Sequence, residues 1–233
     1  MFQDALNYPR ESDSAVKTIA IGGLLLFLSF LVVPTFFVIG YVVRTLRGVL
    51  NGETEPPEFD DWGDLGMDGL KVFVIGFVYS LVPTAIAVVA LFASGVTLGL
   101  GGNGSGSGLA VGFIVVVAAL AVAIISLAMA YVIPAAVVAF VRTDSIAAAF
   151  SPGELRSMAF SRTYATGWLV AVAISLLSGV VIGVLNAVLI GALLAPFLTF
   201  YANVAGAYAI GTAVNEMPSV DDGDETPAGR PAA

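Results

Sequence analysis

Apolar residues run along this chain in unbroken blocks, with neither strict alternation nor a single helical stripe. Residues 18–43, 72–100, 109–141 and 167–214 carry no Asp, Glu, Lys or Arg, and the last block is long enough for two crossings. A helix rises about 1.5 Å per residue and the hydrocarbon core of a bilayer is about 30 Å thick, so roughly 20 apolar residues suffice to cross it. The pattern predicts an all-α integral membrane helical bundle of about five transmembrane helices, with short interfacial helices on its cytoplasmic loops. Spans are expected near 18–43, 72–100, 109–141, 168–189 and 192–214. Residues 1–17 read as an N-terminal interfacial segment, 18–214 as the transmembrane domain and 215–233 as a disordered acidic tail.

The polar breaks between the blocks indicate how the chain is threaded. Arg44, Arg47 and Lys71 flank the first long loop and Arg142, Arg156 and Arg162 the second, whereas 101–108 and 190–195 contain no basic residue. Cytoplasmic loops collect Lys and Arg. Five passes on this rule put the C-terminus in the cytoplasm and the N-terminus outside. Arg10 and Lys17 precede the first span and pull against that assignment. A turn near Pro34, sending 34–50 back along the interface, would remove the conflict, because proline lacks the N–H that a continuous helix needs. A single span kinked at Pro34 is the simpler expectation. Val33-Pro34 and Ile133-Pro134, each followed by an aromatic residue and an arginine, form a weak internal echo.

The first long loop holds the densest polar pattern. At 100° per residue Asp60, Asp61, Asp64 and Asp68 share about a third of a helix circumference, and Trp62, Leu65, Gly69 and Phe73 form a separate stripe facing lipid or bundle. Clustered carboxylates suit calcium or magnesium, so these four aspartates are weak metal candidates, although the spacing is not that of an EF-hand. The simpler expectation is a solvated acidic face at a helix start, where negative charge offsets the dipole. In the second loop Ser151, Pro152 and Glu154 fit a capping box opening a short helix.

Within the blocks, small residues recur at every fourth position from Gly167, and Gly179, Gly183 and Ala187 form the core of an expected helix-packing ridge, within the bundle or across a dimer. Asn186 and Asn203 are the most polar residues there; they satisfy one another across a helix pair or contact a solute. Pro34, Pro83, Pro134 and Pro196 free backbone carbonyls that could line a cavity. Asn103-Gly104-Ser105 is an acceptor triplet for glycosylation on the neutral side. The surrounding glycines imitate a dinucleotide fingerprint but lack the strand that such a motif requires.

Composition narrows the chemistry. Cys and His are absent, which removes disulfides, thiolate nucleophiles, imidazole bases and the usual transition-metal ligands. No ionisable residue lies in the blocks, against the carboxylate relays of ion-coupled pumps. We expect no enzyme activity and no cofactor. With 17 acidic and 9 basic residues, nucleic acid is not an expected partner. The same acidity suits a high-salt cytoplasm, where a Debye length of about 3 Å at 1 M screens carboxylate repulsion. The first residues lack the basic leader of a secretory signal.

The opening Asp4-Ala5-Leu6-Asn7-Tyr8-Pro9-Arg10, the Gly40-Tyr41-Val42-Val43-Arg44 exit and the acidic-aromatic 57–63 loop together resemble a family of archaeal, mainly haloarchaeal, multi-pass membrane proteins catalogued as a domain of unknown function (DUF4013-like). The resemblance implies a cell-membrane address and carries no activity. The expectation is a non-catalytic membrane scaffold or accessory subunit, with the lipid bilayer and a second copy or another membrane protein as partners. The alternatives are a solute transporter or channel component using Asn186 and Asn203, and a carboxylate-dependent membrane enzyme.

Overall fold

Inside lipid a backbone must satisfy its own hydrogen bonds, and helices do so within one segment. The computed structural model of the chain describes residues 1–101, 105–187 and 191–217, and every element in it is helical. In order these are α1 (Phe2–Asn7), α2 (Ala15–Phe27), α3 (Val33–Leu50), α4 (Trp62–Gly101), α5 (Ser105–Thr143), α6 (Pro152–Ala159), α7 (Arg162–Asn186) and α8 (Gly191–Asn215), with 3-10 turns at Tyr8–Arg10, Ser29–Leu31 and Ile146–Phe150. Five of them, α3, α4, α5, α7 and α8, are long and apolar enough to cross a membrane.

The first apolar block departs from expectation. It is broken, not kinked: α2 ends at Phe27, and α3 begins after Val32, whose φ of 67° and ψ of −52° no β-branched residue adopts without cost. Pro34 sits in the first turn of α3, where its missing N–H costs nothing. At 13 residues, about 20 Å, α2 is too short to cross alone. Its residues Gly22 and Gly23 lie against Phe200 and Phe197, so α2 runs opposite to α8. α3 runs with α8: Tyr41 meets Phe200, and Gly211 meets Leu46 and Val49. The first block is therefore a helical hairpin. Tyr8 donates to the Glu55 carbonyl at 3.1 Å and Lys17 lies 3.6 Å from Glu58, which brings the N-terminal segment to the same end as the first long loop. The expected opposite placement of the two termini is thereby corrected, and Arg10 and Lys17 join the other basic residues.

Three hairpins result: α2–α3, α4–α5 and α7–α8. Charged side chains of the described residues gather towards the hairpin bases, at what we term the charged end, with Arg10 reaching over the Tyr201 ring nearer the middle of α8; the turns of the hairpins form the neutral end. The helix pairs meet through glycines. A Cβ on Gly40 would overlap the Leu65 carbonyl, and one on Gly69 the Phe36 carbonyl, so α3 and α4 cross backbone to backbone. Gly167 does the same for α7 against Ala209 and Ala213 of α8. The stripe of Trp62, Leu65, Gly69 and Phe73 faces α3, with Trp62 edge-on to Phe37 and Phe73 edge-on to Phe36. The α4–α5 hairpin behaves differently. Between residues 76 and 134 only Ser94 is buried among the described side chains, so this apolar arm is largely uncovered by the rest of the described chain.

The residues 1–17 are folded, with Ala5 and Tyr8 fully buried against α8. In the second loop α6 starts after Ser151 with Pro152 at its first position, but the Ser151 hydroxyl makes no cap bond; the side-chain cap that does form is Ser161 to the Tyr164 N–H, at 3.5 Å, opening α7. Of the acidic tail, 218–233 lie outside the described residues.

Candidate functional site

At the charged end, α3 closes on Asn51 and Gly52, whose φ of 84° lets the Glu53 N–H reach back to the Gly48 carbonyl at 2.9 Å. The loop then folds along α3. Tyr41 donates its hydroxyl to the Pro57 carbonyl at 2.7 Å, and Arg44 reaches the carbonyls of Glu58 and Asp60 at 3.3 and 3.0 Å as well as the Asp60 carboxylate. Arg47 pairs with Asp68 at 2.7 Å, and Lys71 lies 3.6 Å from Asp68 and 3.4 Å from Asp144.

The weak metal candidates are thus drawn apart by arginines. Asp60 goes to Arg44. Asp61, with φ 43°, serves α4 through its carbonyl, which accepts from the Leu65 N–H at 3.1 Å. Asp64 lines an open depression with Arg44, Arg47 and Lys71, and Asp68 is shared between Arg47 and Lys71. No group of three or more carboxylates among the described residues is placed to hold a metal ion. Sequence reasoning treated the acidic stripe by itself, whereas Arg44 and Arg47, one helical turn apart on α3, face it.

Tyrosines secure the loops. Besides Tyr8 and Tyr41, the Tyr79 hydroxyl donates to Ala149 at 2.7 Å, Tyr131 to Ala159 at 2.6 Å, Tyr164 to Tyr131 at 2.7 Å, and Tyr201 to Leu6, always to a main-chain carbonyl. Burial pushes the Tyr8 phenol well above its ordinary value, so it remains a donor. Tyrosine was not singled out in the sequence. Its signal there was placement for two of them: Tyr41 and Tyr164 lie within three residues of the end of an apolar block, where an amphipathic ring meets polar backbone.

Between α3, α5, α7 and α8 lies a cavity of about 440 Å³. Its walls are apolar, from Val38, Ile133, Val172 and Ala207 among others, with Asn203 exposed on them halfway along α8. Two other polar groups on its walls are already engaged: the Ser175 hydroxyl donates to Ala171 at 2.9 Å and the Trp168 indole to Ala130 at 2.9 Å. The Asn203 amide has no hydrogen-bond partner among the described residues. Asn186 is elsewhere. It ends α7, against Gly191, and 12 residues of α8, about 18 Å, separate that turn from Asn203. Mutual pairing of the two asparagines is corrected accordingly.

The small-residue ridge is also corrected within the chain. Gly179, Gly183 and Ala187 are exposed, and a Cβ on either glycine would meet nothing within 4 Å. The glycines that join helices include Gly22, Gly23, Gly40, Gly69, Gly167 and Gly211, of which only Gly167 belonged to the ridge. Asn103 lies outside the described residues.

A family model described as "Protein of unknown function (DUF4013)" matches residues 27–190, from the close of α2 through α7. The chain belongs to this family. No curated protein and no solved structure matches it. The matched segment holds the α3–α4 crossing, the ion-paired loop and the apolar arm; Asn203 and the rest of α8 lie beyond it.

Proposed function

We propose that this DUF4013 protein is a non-catalytic membrane scaffold or accessory subunit whose binding surface is the apolar α4–α5 arm. The observation that carries this reading is the division of labour along those helices. Below Tyr79 and Tyr131 they are locked to α3 and to the second loop; above, they present Phe92, Phe113, Leu120 and Ile124 on bare faces. Of the four clustered carboxylates, Asp60 is paired with Arg44 and Asp68 with Arg47 and Lys71, which leaves Asp61 and Asp64 without an ion pair among the described residues and no three carboxylates converging. Lipid covers the arm in the absence of a partner. The positive-inside bias puts the charged end in the cytoplasm, and the acidic surplus suits an archaeal, high-salt cell membrane.

Because the chain has no cysteine, single substitutions such as Phe113→Cys or Ile124→Cys give unique attachment points for a photo-crosslinker in native membranes. The expected result is one discrete adduct, of a second copy or another membrane protein, seen from the arm and absent when the crosslinker is placed at Gly183→Cys. Crosslinking to lipid alone from all three positions would overturn the reading.

A second reading has its own observation, the unpartnered Asn203 amide in an apolar cavity. It supports a path or seat for an apolar molecule bearing one hydrogen-bonding group, and not a polar-solute channel. Labelling of Asn203→Cys by a membrane-impermeant thiol reagent would show a water path; protection would favour the apolar seat.

A further inference from the structure

Three helices end together at the charged end: α3 at Leu50, α5 at Thr143 and α8 at Asn215. Between them lies a hollow of about 230 Å³, lined by Arg47, Leu50, Asn51, Val141, Arg142 and Asn215. Converging helix C-termini expose carbonyls and carry partial negative charge. Two of those carbonyls are served from within. The Asn215 amide donates to Val49 at 2.7 Å, and Arg142 reaches the Val214 carbonyl at 3.4 Å.

Against that partial negative charge stand the two guanidinium groups of Arg47 and Arg142. Arg47 gives one nitrogen to Asp68 at 2.7 Å and also lines the hollow. Arg142 makes one long contact and no ion pair among the described residues, out of five N–H donors that a guanidinium offers. Of the carboxylates close by, Asp144 lies 3.4 Å from Lys71, Glu53 lies beside Gly48, and Glu216 is exposed next to Asn215. Arginine forks match the oxygens of a phosphate in pairs. Leu50 and Val141 give the hollow an apolar wall, and it lies where three helices apolar enough to cross a membrane end on the basic side of the chain, the side on which anionic headgroups attract arginine.

We propose that this hollow is a binding site for a phosphate ester, held by Arg47 and Arg142 with Asn51 at the rim, and that its natural source is the headgroup of an anionic phospholipid whose glycerol end rests on Leu50 and Val141. The site is independent of the arm and of Asn203.

The test uses the full chain in non-ionic detergent, followed by tryptophan fluorescence on heating, with phosphatidylglycerol, phosphatidylcholine or inorganic phosphate added. Phosphatidylglycerol should raise the melting temperature saturably and phosphatidylcholine should not. Arg142→Gln should weaken the phosphatidylglycerol response about fivefold, the equivalent of about 1 kcal/mol for one basic contact near a membrane surface. Asn51→Asp, which adds a charge at the rim and removes no hydrogen bond of the folded chain, should weaken it similarly, and Arg156→Gln, outside the hollow, should leave it unchanged. Competition by millimolar inorganic phosphate would support the phosphate chemistry and point to a soluble ester as the source. Equal responses to the two lipids, or a phosphatidylglycerol response untouched in both Arg142→Gln and Asn51→Asp, would overturn the proposal.

Discussion

The two ends of the α4–α5 hairpin are packed in opposite ways, the base mixing apolar residues with Asp64, Asp68, Lys71 and Arg142 and the tip carrying no charge. Near the base, Leu65, Ile75, Ala135, Val138 and Phe140 are almost fully buried. Near the tip, Leu91, Phe92, Leu109 and Phe113 are more than two-thirds exposed. In water such a difference would be intolerable, but lipid tails are as apolar as leucine, so burying a leucine gains little over leaving it in the bilayer. What distinguishes the base is close backbone approach at Gly40 and Gly69, tyrosine hydroxyls on carbonyls, and ion pairs. The comparison teaches that this bundle is held by contacts that lipid cannot imitate.

That contrast can be broken most severely at the crossing. Gly40→Val drives a branched side chain into the Leu65 carbonyl, with no flexible neighbour to yield, and should destabilise the protein by about 3 kcal/mol or more; Gly179→Val, in open space, should change stability by less than about 0.5 kcal/mol. Denaturant unfolding in detergent micelles would measure both, and equal effects would dismiss the crossing as the organising contact. Next in size come the hydroxyls. Tyr41→Phe and Tyr164→Phe each remove one hydrogen bond, at a cost of about 1 kcal/mol in the same assay. Unchanged unfolding in both would mean that the loops are held by ring packing alone.

Asp68→Asn leaves Arg47 and Lys71 without their shared carboxylate and should cost about 1 kcal/mol or less, most of it recovered at high salt if exposed geometry dominates. The smallest effect is expected at the tip. Val89→Ala should lie within about 0.5 kcal/mol of the parent in detergent, and a larger loss would show that the arm has an intramolecular partner.

Much of this architecture was legible because the hydrocarbon core imposes one strong rule, length of uncharged chain. α4, α5, α7 and α8 match the apolar blocks to within about ten residues at their starts and three at their ends, the excess at α4 being the acidic turn from Trp62 that continues into the span. The break at Val32 was not legible, because Ser29 to Val33 are as apolar as a span and the reversal is imposed by packing of α2 on α8 through Gly22 and Gly23. Proline at residue 34 marked the place to within two residues while suggesting the wrong cause. The candidate site was less legible. Asn203 stood out because amides are rare in such blocks, yet its isolation from Asn186 depends on helix length alone. The fourth-position glycines drew attention by their regularity, whereas Gly40 and Gly69, which do join helices, belong to no repeat and are identified only by what lies across from them.

The hairpin made by α2 and α3 has a consequence for how the chain enters a bilayer. With the first apolar block doubled back, the chain is three helical pairs whose leading turns are free of charge among the described residues, so each pair can insert tip first while its charged base stays where it was synthesised. Biogenesis then requires no carboxylate, ammonium or guanidinium group to be dragged through hydrocarbon.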